Sequence, residues 1–137
     1  MPVVAKICGV NSAAPMDAAV RGGAGFVGLM FVAKSPRFID LATAARLAAA
    51  VPKATHRVGV FVDPTDAELD AALAAVPLEM IQLHGKETPE RVAAVRSRTK
   101  CLVLKAFSVG SREDIAAVKA FEDAADWLLF EIGRAHV

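Results

Sequence analysis

The chain has 137 residues, 55% of them hydrophobic, and carries 16 Lys and Arg against 15 Asp and Glu. This composition supports one packed domain and excludes a disordered chain. A net charge of +1, with one Trp and no Tyr, offers no basic, aromatic-laced surface for nucleic acid.

The longest uncharged apolar stretch, residues 22–33, is too short to span a bilayer and contains four glycines. Nothing at the N-terminus resembles a signal peptide, since Lys6 interrupts the apolar run and no cleavage site follows. The two cysteines, Cys8 and Cys101, lack zinc-ligand spacing. Reduced thiols in a cytoplasmic protein are therefore expected, with no metal and with neither nucleic acid nor membrane as partner.

Apolar, β-branched runs at residues 3–10, 26–32, 57–63, 80–85, 101–107 and 127–130 read as strands. Ala-rich stretches at 16–22, 41–51, 67–76, 89–98 and 112–122 read as the helices between them. Start signals support three of these. Thr65-Asp66-Ala67-Glu68 is a capping box, Thr88 precedes a proline at the first helical position, and Ser111 precedes Glu113 and Asp114. Strand and helix alternate five times before a sixth strand, which implies parallel pairing through right-handed crossovers.

Two architectures fit, an open doubly wound sheet and the first part of an eightfold βα barrel. Polar residues decide between them, because they collect at the C-terminal ends of several strands. They are Cys8, the loop Lys34-Ser35-Pro36-Arg37, Asp63, the pair Gln82 and His84, and Lys105. A barrel builds its site from many strand ends, whereas an open sheet concentrates it at one switch point. No G-x-G-x-x-G follows the first strand. The expected fold is α/β, a (β/α)8 TIM-barrel chain cut to about five βα units plus a sixth strand.

Side chains alternate along a strand, so Lys6 and Cys8 share a face, and Gly9 and Asn11 break the run at once. A thiol placed there can act as base or nucleophile, and a cation such as Lys6 favours the thiolate. The planar fork of Arg37 suits a carboxylate or a phosphate. Gln82 and His84 lie on one strand face and can both point inward, and Lys105 either snorkels at the rim or binds an anion. Cys101 opens its strand at the N-terminal end and reads as packing. Asp63-Pro64 reads as a turn into the Thr65 cap, and Asp126 stands too early to reach the site. The pattern gives a strand-end site for an anionic small molecule, and no reaction.

The reaction comes from a resemblance. Lys6-Ile7-Cys8-Gly9, Ala33-Lys34-Ser35-Pro36-Arg37-Phe38, Val58-Gly59-Val60-Phe61-Val62 and Ile81-Gln82-Leu83-His84-Gly85 occur in that order. Together, over residues 4–130, they resemble the phosphoribosylanthranilate isomerases of tryptophan biosynthesis. The resemblance implies a cofactor-free barrel that is monomeric or homodimeric at full length. It implies the Amadori rearrangement of N-(5-phosphoribosyl)anthranilate, a phosphorylated sugar, to 1-(2-carboxyphenylamino)-1-deoxyribulose 5-phosphate. Cys8 would be the general base at C2 and Arg37 would meet the anthranilate carboxylate. Gln82 and His84 would line the pocket near the ribose, with Lys6 a further substrate-binding residue. The family's general acid is an aspartate ending the sixth strand, and Glu131 stands at that position.

Two departures shape the expectation. A barrel of this kind needs at least about 200 residues, so the phosphate site after strands seven and eight is expected to be missing. Strands one and six are then open edges. Residues 1–130 are thus expected to be the N-terminal part of a barrel. Residues 131–137 depart from the family's continuation and are expected to be non-native, a translated sequencing adaptor following one native G. The chain as written is expected to be an inactive piece of an isomerase. The alternative of another class is a non-catalytic half-barrel completed by oligomerisation.

Overall fold

The computed structural model describes residues 2–132, so most of the suspected non-native ending, residues 133–137, lies outside the described residues. Six strands alternate with five helices: β1 (Lys6–Cys8), α1 (Ala13–Arg21), β2 (Phe26–Met30), α2 (Leu41–Ala49), β3 (His56–Phe61), α3 (Asp66–Ala75), β4 (Met80–Leu83), α4 (Pro89–Thr99), β5 (Leu102–Val109), α5 (Arg112–Val118) and β6 (Trp127–Ile132), with a 3-10 turn at Lys119–Phe121.

The helices begin where local chemistry satisfies their free N–H groups. Thr65 with Glu68 and Ser111 with Asp114 form complete capping boxes, and Thr88 accepts from the Arg91 N–H ahead of Pro89. Asp40 caps α2, accepting from the Thr43 N–H at 2.8 Å.

Every strand pairs in parallel with its sequence neighbour, in the order β1-β2-β3-β4-β5-β6. That order never reverses, so there is no switch point and the crossovers all fall on one side, as in a barrel and unlike a doubly wound sheet. The helix-facing side buries Val27, Leu29, Phe61, Ile81, Leu83 and Val103 against the helices. The other side carries a smaller cluster of Val58, Met80, Leu104 and Ala106.

This second side is concave. Strands β2 and β6 are four spacings apart, about 19 Å in a flat sheet, yet the rings of Phe26 and Trp127 lie 6.3 Å apart. The sheet is curled into a half-barrel. Among the described residues β1 pairs only with β2 and β6 only with β5, which leaves both edges open, and Trp127 is 54% exposed.

At the N-terminal end of the strands the polar groups close on one another. Arg57 binds Glu79 through its guanidinium and, at 2.8 Å, its backbone N–H. Asp126 accepts from the Val103 N–H at 2.8 Å and pairs with Arg96 at 3.6 Å. The Cys101 thiol donates to the Leu78 carbonyl at 3.5 Å, and burial pushes that thiol up from its ordinary value. No helix among the described residues is long and apolar enough to cross a membrane.

Candidate active site

Strand alternation decides what the concave face presents. Cys8 pairs with Gly28, and the missing side chain of Gly28 leaves room for both residues of β1 that point inward. The Cys8 Sγ lies 3.0 Å, and the Lys6 Nζ 3.4 Å, from the point where a Cβ on Gly28 would stand. Ammonium and thiol therefore share one patch of the concave surface, as the alternation predicts.

Arg37 reaches the same patch from the loop after β2. That loop doubles back, with the Ile39 N–H donating to the Met30 carbonyl at 3.0 Å and the Arg37 N–H to Ser35 Oγ at 3.1 Å. The guanidinium then lies across Gly9 and its Nη1 donates to the Cys8 carbonyl at 3.4 Å. Glycine at position 9 serves both the turn and the seat of Arg37. Its φ of +75° is a left-handed conformation, and a Cβ there would stand 2.5 Å from the Arg37 Cδ.

A second group stands on β4 and β6. Gln82 is 2% exposed, and its Oε1 has no hydrogen-bond partner among the described residues. A buried amide oxygen left unpaired costs about 1–3 kcal/mol, so an incoming N–H or O–H donor is favoured there. The His84 Nε2 lies 3.1 Å from the Glu131 Oε2, across the intervening strand β5. Glu131 itself pairs in register with Ser108, so it continues β6 as an inward residue. The six residues singled out from the sequence thus form two groups on one surface, Lys6–Cys8–Arg37 and Gln82–His84–Glu131.

Lys105 differs from expectation. It follows the parity of Val103, not of Leu104 and Ala106, so it points away from the concave face. It is buried, its Nζ donating to Glu87 Oε1 at 2.8 Å and to the Gly85 carbonyl at 2.7 Å. It neither snorkels nor waits for an anion. Glu87 is the residue that sequence reasoning missed. Its one signal was indirect, since a lysine inside the apolar run 101–107 requires a buried counter-charge. Asp63 is a turn residue with φ 44°, and it too is tied to this network.

A family model described as N-(5'phosphoribosyl)anthranilate (PRA) isomerase matches residues 5–135. The N-(5'-phosphoribosyl)anthranilate isomerase of Paracoccus denitrificans is 51% identical over 131 residues, 96% of this chain and 61% of the relative. This chain thus spans about three fifths of the length of that curated relative. The crystal structure of the phosphoribosyl anthranilate isomerase of Thermotoga maritima superposes with a TM-score of 0.90 at 29% identity, covering 99% of this chain and 64% of that one. A phosphoribosyl anthranilate isomerase solved in complex with reduced 1-(o-carboxyphenylamino)-1-deoxyribulose 5-phosphate has a TM-score of 0.82 at 28% identity, covering 97% of this chain and 77% of the other. With a family model spanning nearly its whole length and a half-identical relative, the chain belongs to the N-(5'-phosphoribosyl)anthranilate isomerase family.

Proposed function

We propose that the concave surface carries the sugar-handling part of a site for the Amadori rearrangement of N-(5'-phosphoribosyl)anthranilate to 1-(o-carboxyphenylamino)-1-deoxyribulose 5-phosphate. The observation that carries this reading is the placement of a thiol group and a carboxylate–imidazole pair on one face, at the ends of β1, β4 and β6. The reaction needs an acid and a base acting on different atoms of one small sugar. The acid protonates the furanose ring oxygen while the anilino nitrogen lone pair forms C1=N, which opens the ring. The base then takes the C2 proton, giving an enolamine whose return of a proton to C1 and loss of one from the C2 hydroxyl yields the ketone. No proton is consumed overall.

Cys8 is assigned as the base, with Lys6 placing positive charge beside the sulfur. Glu131, held by His84, is assigned as the acid. Arg37 takes the anthranilate carboxylate, its fork suited to two parallel hydrogen bonds. Gln82 offers its unpaired Oε1 to a sugar hydroxyl. The two free thiols, Cys8 and Cys101, support a reducing, cytoplasmic setting.

The same reading treats residues 1–130 as the N-terminal part of a barrel and residues 131–137 as non-native, so that an aspartate is the evolved acid at position 131. A glutamate there displaces the carboxyl by about an ångström, enough to lower the rate on the order of a hundredfold.

The test is conversion of N-(5'-phosphoribosyl)anthranilate, followed by chromatography. It is run on this chain and on a version continued with the last two βα units of the Paracoccus relative. Turnover only in the continued version is the expected result. Turnover by the short chain would overturn the reading of this chain as inactive by itself. A folded continued version that neither binds nor converts the compound sinks the assignment.

A further inference from the structure

At the ends of β3, β4 and β5 a charged pair sits away from the concave face, and it does more than neutralise itself. The side chains of Lys105 and Glu87 are 3% and 1% exposed. One Glu87 oxygen, Oε2, accepts from the Asp63 N–H at 2.7 Å, just past β3. The Gly85 N–H, just past β4, lies 3.0 and 3.2 Å from the two oxygens. Lys105, on β5, closes the circuit with 2.8 Å to Glu87 Oε1 and 2.7 Å to the Gly85 carbonyl. Asp63 Oδ1 in turn accepts from the Lys86 N–H at 2.9 Å.

The two peptide groups that meet at Gly85 are thereby both held, the His84–Gly85 peptide through its N–H by Glu87 and the Gly85–Lys86 peptide through its C=O by Lys105. Gly85 is also where no larger residue fits, since a Cβ would stand 2.6 Å from the Asp63 carboxylate. The residue before it is His84, whose own N–H is fixed by the Phe61 carbonyl at 2.9 Å. His84 is thus clamped in its backbone on both flanks, and its imidazole is the group that meets Glu131 at 3.1 Å.

We infer that Lys105 and Glu87 are positioning residues. The buried pair sets the two peptides that flank Gly85, and the His84–Gly85 peptide aims the His84 imidazole across β5 at residue 131. A buried ion pair is weak evidence for stability, because apolar residues of similar volume often serve as well or better. What apolar residues cannot supply is two acceptor oxygens and a donor arranged to fix two successive peptides. As a statement about the isomerase it rests on the function proposed above. As a statement about geometry it does not, and the test is chosen accordingly.

The experiment is nuclear magnetic resonance of the imidazole rings in the chain as it is, with no turnover required. Glu131→Gln shifts the His84 ring resonances and leaves those of His56, at the far end of the sheet, in place. In a Lys105→Met/Glu87→Met background, which strands no charge, the same Glu131→Gln change is expected to move the His84 resonances by less than about a third as much, a coupling read as in a double-mutant cycle. An undiminished response in the folded double variant overturns the inference, even if its melting temperature falls, because the pair would then be structural only.

Should that variant not fold, amide exchange in the unaltered chain decides. The Asp63 and Gly85 N–H groups, bound only by a side chain, are expected to exchange within about tenfold of the Ile81 amide inside β4. Faster exchange at both means an open clamp, and the inference fails.

Discussion

At the N-terminal end of the strands, Arg57 and Glu79, Arg96 and Asp126, and Cys101 with the Leu78 carbonyl each satisfy one another. At the C-terminal end the same kinds of groups are arranged around a space. Among the described residues Gln82 keeps an unpaired buried oxygen, the Arg37 guanidinium has a single long contact to the Cys8 carbonyl, and the thiol of Cys8 lies beside Lys6 on the concave face. A thiol, an arginine and a carboxylate occur at both ends, so residue type does not mark a site. What marks it is polar capacity left over after the fold has been satisfied. The Lys105–Glu87 pair shows the boundary between the two uses, since it is closed like the N-terminal end yet frames the open one.

The widest contrast is between the two thiols. In the version continued with the relative's last two βα units, Cys8→Ala is expected, on the proposed function, to lower kcat by about 10²–10⁴-fold. Cys101→Ala should leave kcat within about twofold, because that end of a barrel serves stability. Equal losses in a steady-state assay would erase the distinction between the ends.

Next come the ion pairs. Lys105→Ala strands a buried carboxylate and is expected to cost about 3–5 kcal/mol in urea unfolding. Arg57→Ala, at a pair that is only partly buried, should cost about 1–3 kcal/mol. A reversed ranking would mean that the clamp carries less strain on removal than its burial implies.

Acid separates the ends more gently. Burial pushes the Glu79 carboxyl up, but the hydrogen bonds and charge of Arg57 outweigh it and hold it below its ordinary value of 4.5. Because the folded value is the lower one, this pair stabilises fully above the unfolded value and the contribution is lost as pH falls through the folded one. Unfolding midpoints measured downward from neutral pH should drop below 4.5, and Arg57→Met should flatten that drop. A drop of unchanged steepness in the variant would assign it to other carboxylates. Smallest is the rim itself, where Thr65→Ala removes the capping box of α3 and should cost about 1 kcal/mol by thermal unfolding.

How much of this was legible in the sequence follows from the range of each interaction. The strands and caps were, because alternation and capping act within a few residues, and Thr65, Thr88 and Ser111 do what their spacing implies. The shared face of Lys6 and Cys8 was legible for the same reason. The contact of His84 with Glu131 was not, since it depends on how far the sheet curls between β4 and β6. Nor was the direction of Lys105, which a one-residue change of register would have turned inward. Glu87 escaped notice because a loop carboxylate looks solvated until the partners that bury it, 18 to 24 residues away, are placed around it.

The unbroken strand order has a consequence for how the chain is made. Each strand waits only for the one synthesised before it, so the sheet can grow by accretion as residues leave the ribosome, at about 5–20 per second. Assembly and translation can therefore run in the same direction, and the curvature that gathers the site is acquired one βα unit at a time.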